Sequence, residues 1–372
     1  MYFKRFLKFF KSFILIFFTT FFLSLIVDFF FGKKILKALD SYLITTEFYG
    51  RLLRVDHPIY HHGLLPNVKY SKNSGFEGKF TICTNNHGFR DNCQNKISYK
   101  EFDIGFMGDS FVEGSSVDFE DSFVGKFANN KKNLKVANLA VSSYSPKIYL
   151  SKINYLLKND FKFKEIIFFI DISDLYDDDV DYKLNSDKTI SEKDLKGKGL
   201  KRRRFLRTNF PLTNFYMYVL KKSRQIKKNI TPIDNKTPIF NKKAEYKAEW
   251  TYYKNSVHPE YLETISDAQR NQIEVMNTTY SLLKKNNIKM SLAIYPWPQQ
   301  LLNDNVNSKH VKMWKEFCVS KCENFINFFP FFFDEIKKNS FIEIYKKYYF
   351  WNDVHFNIKG NEVIAKKLLK IY

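Results

Sequence analysis

Apolar positions along this chain fall into two kinds of run. The first occupies residues 12–31, a twenty-residue stretch made almost entirely of Phe, Leu, Ile, Val and Thr, with Asp28 as its only charge. At about 1.5 Å per residue it matches the roughly 30 Å hydrocarbon core of a bilayer, which predicts a transmembrane helix. The second kind is short, rich in Phe, Ile and Val, and alternates with segments of helical period. Strands are predicted at 102–107, 134–140, 165–170, 289–295 and 324–329, and helices at 121–129, 146–158, 260–285, 309–322 and 359–371. Strand and helix in alternation build a parallel sheet covered on both faces. The expected fold is therefore α/β, a flavodoxin-like three-layer α/β/α domain, with a crevice where the strand order reverses.

The expected organisation is a cytoplasmic stub and membrane helix over 1–32, a juxtamembrane connector over 33–79, and a catalytic domain over 80–372. His57-Pro-Ile-Tyr-His-His62 and Leu65-Pro-Asn67 predict irregular structure in the connector. The interval 177–259 is too long for a crossover and has basic and aromatic runs of its own. It is expected to be an insertion and a candidate lid over substrate. Lys4, Arg5, Lys8 and Lys11 precede the apolar run, while Lys33, Lys34 and Lys37 follow it, a balance taken to favour an inside amino terminus with the rest exported. A cleaved signal peptide is the competing reading, but the run is long for one, and no small-x-small cleavage site precedes Lys33.

Charge changes this picture little. The formal net charge is +21, yet Lys outnumbers Arg fifty to ten amid much Asn, Ile and Phe, the imprint of an AT-rich genome, and no nucleic-acid fold signature accompanies it. Nucleic acid is not an expected partner. The narrower cluster 196–207 is either a solvated face or a contact for anionic lipid or acidic polysaccharide. Cys83 and Cys93 flank a turn-rich loop that a disulfide would close, whereas Cys318 and Cys322, one turn apart, read first as helix core. His57, His61 and His62 are surface or substrate-side histidines, with metal as the alternative. The acids from Asp171 to Asp181 cap helices and pair with the basic insertion, with calcium as the alternative.

The candidate chemistry begins at Phe102-Asp-Ile-Gly-Phe-Met-Gly-Asp-Ser110, where a predicted strand ends in a glycine, an acid and a serine. Gly108 suits a sharp strand-to-loop turn, and Gly114 a close approach to substrate. A serine hydroxyl needs a base, and Trp351-Asn-Asp-Val-His-Phe-Asn357 brings one just before the last helix. Gly108-Asp109-Ser110, with Asp353-Val354-His355, Asn357 and Gly360, resembles the first and last blocks of the SGNH/GDSL hydrolase superfamily. Asn138-Leu-Ala-Val-Ser-Ser-Tyr-Ser-Pro146 and Phe169-Ile-Asp-Ile-Ser-Asp174 resemble the second and third, and the likeness spans about 80–372. Phe80 to Arg90 is similar to the segment before the first block in membrane-anchored members.

That resemblance implies Ser110 as nucleophile, His355 as base and Asp353 as the carboxylate orienting it. It also implies an oxyanion hole from the Ser110 and Ser143 amides and the Ser173 hydroxyl, with Asp109, Asp174 and Asn352 as possible substrate contacts. Three positions depart from the family: Ser143 replaces a glycine, Ser173 an asparagine, and Asn352 stands where the acid usually does. No metal and no organic cofactor is implied. The implied activity is ester hydrolysis or O-acyl (acetyl) transfer on a cell-envelope polysaccharide or glycolipid. The implied location is a bacterial inner membrane, with a periplasmic catalytic domain. The alternative is a catalytically inactive, glycan-binding protein of the same fold.

Overall fold

The computed structural model describes residues 2–40, 53–73, 78–94, 96–193, 209–228, 238, 240 and 242–372. The chain divides into two units, one built from 1–48 with 194–234 and the other from 49–193 with 235–372. In chain order the strands are β1 (Arg54–His57), β2 (His61–Leu64), β3 (Lys69–Asn73), β4 (Lys79–Thr84), β5 (Arg90–Asp91), β6 (Glu101–Met107), β7 (Val136–Asn138), β8 (Lys162–Ile170), β9 (Tyr182–Leu184), β10 (Ile190–Glu192), β11 (Lys289–Ile294) and β12 (Phe325–Asn327).

β8 shows why the second unit has its sheet in the middle. Its run Ile166-Ile-Phe-Phe-Ile170 is apolar at every position, so no face of it can meet water. Ile167 and Phe169 pack to one side with Phe106, Phe123, Phe127 and Leu368. Ile166, Phe168 and Ile170 pack to the other with Tyr149, Ile153, Met276 and Trp314. The helices Phe123–Asn130 and Ile358–Ile371 cover the first face, and Pro146–Lys158, Ile265–Lys285 and Lys309–Cys318 the second. The eight-stranded sheet runs β12-β11-β8-β6-β7-β5-β4-β3. Its five parallel strands, numbered by appearance, stand in the order 2-1-3-4-5, the doubly wound order in which the chain reverses direction between the first and third.

Two expectations about organisation differ from what is observed. The stretch read as an irregular connector holds the β1–β2 hairpin, and β3 pairs antiparallel with β4 to extend the sheet. β1, β2 and β3 are short and mixed in polarity, so the apolar pattern did not mark them. The expected insertion also divides. β9, β10 and the helix Lys242–Glu249 belong to the sheet unit, whereas residues 194–234 group with the amino-terminal helix. The basic cluster 196–207 lies outside the described residues. Cys83 is bonded to Cys93, and Cys318 to Cys322. The helix expected over 309–322 stops at Cys318, which frees Cys322 to turn back onto it.

Within the first unit, the helix Tyr2–Asp40 contains a segment, Phe9–Gly32, long and apolar enough to cross a membrane, with mean hydropathy 2.4. A second helix, Pro211–Lys228, packs on its less exposed stripe of Leu25, Asp28, Gly32 and Ile35. Asp28 is 2 % exposed and accepts the Leu212 and Thr213 amides at 2.8 and 2.7 Å. It thus satisfies two of the orphan donors at the start of that second helix. A Cβ at Gly32 would lie 2.2 Å from Asp28 Oδ1, so the glycine is what allows the approach.

Asp28→Ala should remove this cap at a cost of about 1 kcal/mol. Hydrogen exchange at the Leu212 and Thr213 amides should then speed by roughly fivefold, with exchange in β8 unchanged. Unchanged protection at both amides would mean that the carboxylate does not hold the helix.

Candidate functional site

Ser110 follows β6 by three residues and opens the short helix Ser110–Glu113 at the carboxyl end of the sheet, beside the strand reversal. Asp109 caps that helix through the Phe111 amide at 3.0 Å. Gly108 serves by size rather than by an unusual φ, since a Cβ there would meet Val112 Cγ2 at 2.3 Å. The left-handed residue is Gly114, at φ 75°, which ends the helix. Asn138, in the second block, ties its side chain to the Val112 carbonyl at 2.7 Å and to the Ala140 amide at 3.1 Å. It thereby fixes the helix against β7.

His355 Nε2 stands 2.7 Å from Ser110 Oγ, and its Nδ1 stands 2.5 Å from Asp353 Oδ1. The His355 and Asp353 side chains are 23 % and 30 % exposed, so the pair borders solvent. Burial alone would push the His355 imidazole down, but the Asp353 carboxylate, with Asp109 and Asp171 adding to it, more than offsets this and holds the ring above the ordinary histidine value. The same pairing outweighs burial at Asp353 and keeps that carboxyl below its usual range. The Asp353 carboxylate also takes the His355 amide at 2.9 Å, which bends the loop into a tight turn. Asn352, at φ 60°, precedes it, and of the two it is Asp353 that reaches the ring.

The loop that carries these two groups is held by residues whose importance is visible only in three dimensions. The Tyr345 hydroxyl donates to the Asp353 carbonyl at 2.8 Å, and the Phe111 ring lies 4.8 Å from the imidazole. Asn357 caps the last helix through the Gly360 amide at 3.0 Å and donates to the Lys347 and Tyr349 carbonyls. A hydroxyl, an imidazole and a carboxylate in line can draw a proton from the hydroxyl and place the resulting charge beside the carboxylate.

The other expected site residues take several settings, and one of them, Asp109, stays in contact with Ser110, whose Oγ donates to Asp109 Oδ2 at 3.2 Å. Ser143 adopts φ 66°, a backbone conformation that glycine takes more readily and that its side chain must tolerate. Ser173 is buried; its amide donates to Asp171 at 2.7 Å, and its side chain adds to the stabilisation of that carboxylate. Asp109 and Asp174, expected to face a substrate, turn inward at 4 % and 0 % exposure. Asp174 takes the Tyr149 hydroxyl at 2.9 Å. The Tyr295 hydroxyl lies 3.3 Å from Asp109 and 3.0 Å from Asp171, and Trp297 donates to Asp171 at 2.6 Å. Burial, reinforced by the neighbouring Asp171, pushes Asp109 up to about 7. Burial raises Asp171 as well, and raises Asp174 well above the usual range, where the other two carboxylates add to it.

The remaining acids of that loop have partners of their own. Asp177 pairs with Lys247, Asp178 takes Ser145 and Gln272, Asp179 pairs with Lys193, and Asp181 with Lys243. Among the described residues, no three His, Cys, Asp or Glu side chains gather as metal ligands. His57 stacks on Tyr60 at 3.6 Å between ring centres, and His62 is buried rather than at the surface. A concavity lined by Glu101, Asp103, Lys135 and Lys164 lies at the amino-terminal ends of the strands, away from Ser110.

No protein-family model and no curated protein matches the chain. Among solved structures it is similar to a protein of the G-D-S-L family described as lipolytic, from Desulfitobacterium hafniense DCB-2. The two are 10 % identical over 74 % of this chain and 100 % of that one, with a TM-score of 0.36. It is also similar to LAE5, an alpha/beta hydrolase enzyme from the metagenome of Lake Arreo, Spain. That likeness is 10 % identical over 72 % of this chain and 94 % of the other, with a TM-score of 0.34.

Asp109 holds its proton more tightly folded than unfolded, because its carboxyl rises from 3.8 to about 7 on folding. Its effect on stability is therefore flat below the lower value, grows as a penalty while pH rises between the two, and levels off above the upper. Asp109→Asn cannot ionise and should decline less over that window. Thermal unfolding midpoints of both chains, measured from about pH 4 to about pH 8, check this. Parallel curves would show that Asp109 does not carry the proton.

Proposed function

We propose that this chain is a serine-dependent acyl-transfer enzyme of the SGNH type, either an ester hydrolase or an O-acyl (acetyl) transferase. The observation that carries the reading is the continuous hydrogen-bond chain Ser110–His355–Asp353, at 2.7 and 2.5 Å. In this mechanism His355 Nε2 takes the Ser110 proton as Oγ attacks the carbonyl carbon of an acyl ester, and Asp353 stabilises the imidazolium that forms. His355 then returns the proton to the leaving alcohol, leaving an acyl-serine. Water or a sugar hydroxyl resolves that intermediate by the same proton path in reverse. The Ser110 and Ser143 amides are the proposed oxyanion donors. Among the described residues neither amide hydrogen has a partner within the protein.

Ser173 is the weakest of the expected roles, since its amide and side chain are both engaged with Asp171. We assign it to holding that buried carboxyl cluster rather than the oxyanion. The proposed substrate is an acyl ester on an envelope glycan or glycolipid. What supports it is the likeness of the four sequence blocks to that superfamily and of Phe80 to Arg90 to its membrane-anchored members, together with the apolar Phe9–Gly32 segment. On this reading the amino terminus is cytoplasmic and the sheet unit lies outside the inner membrane.

A fluorophosphonate probe should label the wild-type chain covalently and leave Ser110→Ala unlabelled. Absence of labelling in the wild type would favour an inactive binding protein of the same fold.

The pH profile gives a second check. Only neutral His355 can accept a proton, and its value is raised, so kcat/KM on a neutral acetyl ester should climb with pH through a limb above the ordinary histidine value. Asp353→Asn should move that limb to lower pH and cut turnover by up to about 10⁴, as loss of the tautomer-fixing carboxylate does elsewhere. Asn352→Ala should retain most activity. The opposite ranking of the two variants would overturn the assignment of Asp353.

A further inference from the structure

If Ser143 supplies an oxyanion donor, something must aim its N–H. In a trans peptide the carbonyl and the next N–H point opposite ways, and among the described residues no peptide is cis. The direction of the Ser143 N–H is therefore set by whatever holds the Ser142 carbonyl. That carbonyl lies 2.9 Å from Nε2 of His62, on β2, eighty residues upstream. The rest of the corner is fixed as well. The Ser142 amide donates to Glu113 Oε2 at 2.5 Å, and the Tyr182 hydroxyl donates to the Ser143 carbonyl at 2.8 Å. The Tyr144 amide donates to the Val141 carbonyl at 3.1 Å, and its hydroxyl to the His62 carbonyl at 2.6 Å.

The tautomer of His62 follows by elimination. A carbonyl oxygen only accepts, so Nε2 must carry a hydrogen. Burial, followed by the charge of its neighbours, holds the ring well below the ordinary histidine value, which leaves it neutral and Nδ1 a bare lone pair. His61 Nδ1 stands 2.7 Å from that lone pair, so it is the donor; His61 Nε2 lies 3.3 Å from Glu192 Oε1, an acceptor, so that second contact requires a hydrogen on Nε2 as well. The opposite tautomer of His62 would set two lone pairs face to face at the Ser142 carbonyl.

We propose that His62 is a positioning residue for acyl transfer: it pins the Ser142 carbonyl so that the Ser143 amide faces the oxyanion, and His61 holds it in the tautomer that can do so. This rests on the acyl-transfer reading above. The β1–β2 hairpin thus reaches the chemistry through one peptide plane.

The full-length chain is compared with His62→Leu, His62→Gln and His61→Leu on a neutral acetyl ester, alongside thermal midpoints. Gln places an N–H donor near the position of Nε2, and Leu places none. His62→Leu should lose kcat, approaching the roughly 10²–10³ that removal of one oxyanion donor costs, with KM little changed. His62→Gln should recover most of that loss, and His61→Leu should fall between. An independent reading is the imidazole ¹⁵N spectrum, in which His62 should be neutral and protonated at Nε2 even if the Leu variant fails to fold. Unchanged kcat in His62→Leu, a His62→Gln as impaired as Leu at wild-type stability, or the Nδ1–H tautomer would each overturn the proposal. If the wild type itself neither turns over ester nor takes the fluorophosphonate, the acyl-transfer reading fails, and this proposal with it. An active wild type beside an unaffected His62→Leu sinks this proposal alone.

Discussion

The hydrogen bond between Ser110 and His355 joins residues 245 apart, and the rest of the site is arranged around making it. Neither residue can move far. Ser110 is fixed by the end of β6, where Gly108 lets Val112 pack beneath the turn and Asp109 caps the helix that follows. His355 is fixed by a loop clipped at both ends, by Tyr345 on the Asp353 peptide and by Asn357 on three carbonyls of the preceding helix and turn. The sheet order brings the two together, because the reversal of direction beside β6 leaves a crevice that the carboxyl-terminal elements can reach.

Behind that contact sits a cost. Asp109, Asp171 and Asp174 are buried near one another, and three carboxylates in so dry a place cannot all ionise cheaply. Tyr295 and Trp297 donate hydrogen bonds to Asp171, and Tyr149 donates one to Asp174. The arrangement also matters electrically. Asp109 and Asp171 add to Asp353 in raising His355.

The amino-terminal hairpin supplies the second support. Arg54 pairs with the buried Glu113 at 3.3 Å, and Glu113 takes the Ser142 amide. Burial would raise Glu113, but Arg54, the Ser142 amide and Arg90 hold it below the usual range, so it remains an acceptor. One carboxylate therefore links the helix after Ser110, the second-block loop and β1. Asp28 does similar work in the other unit, where a charge that an apolar helix would shun is occupied by the amides of a neighbouring helix.

What the sequence determined is what depends on local pattern. The five parallel strands appear where runs of Phe, Ile and Val demand burial on both faces. Ser110, Asp353 and His355 stood out because a glycine, a serine, an acid and a histidine lie at strand or helix ends. The long apolar helix was legible from length alone. What only the tertiary structure decided is everything that depends on which distant groups share a space. Strands β3 and β5 are too short and mixed to announce themselves until the sheet needs them. His62 looks like one of three histidines in a loop until the Ser142 carbonyl lies against it. Asp353, rather than Asn352, reaches the imidazole because Tyr345 and the turn at positive φ swing it there. Asp109 and Asp174 turn inward because Tyr295, Trp297 and Tyr149 offer them hydrogen bonds. A pattern of polarity records whether a side chain will be buried, while its partner is set by the packing of elements far apart in the chain.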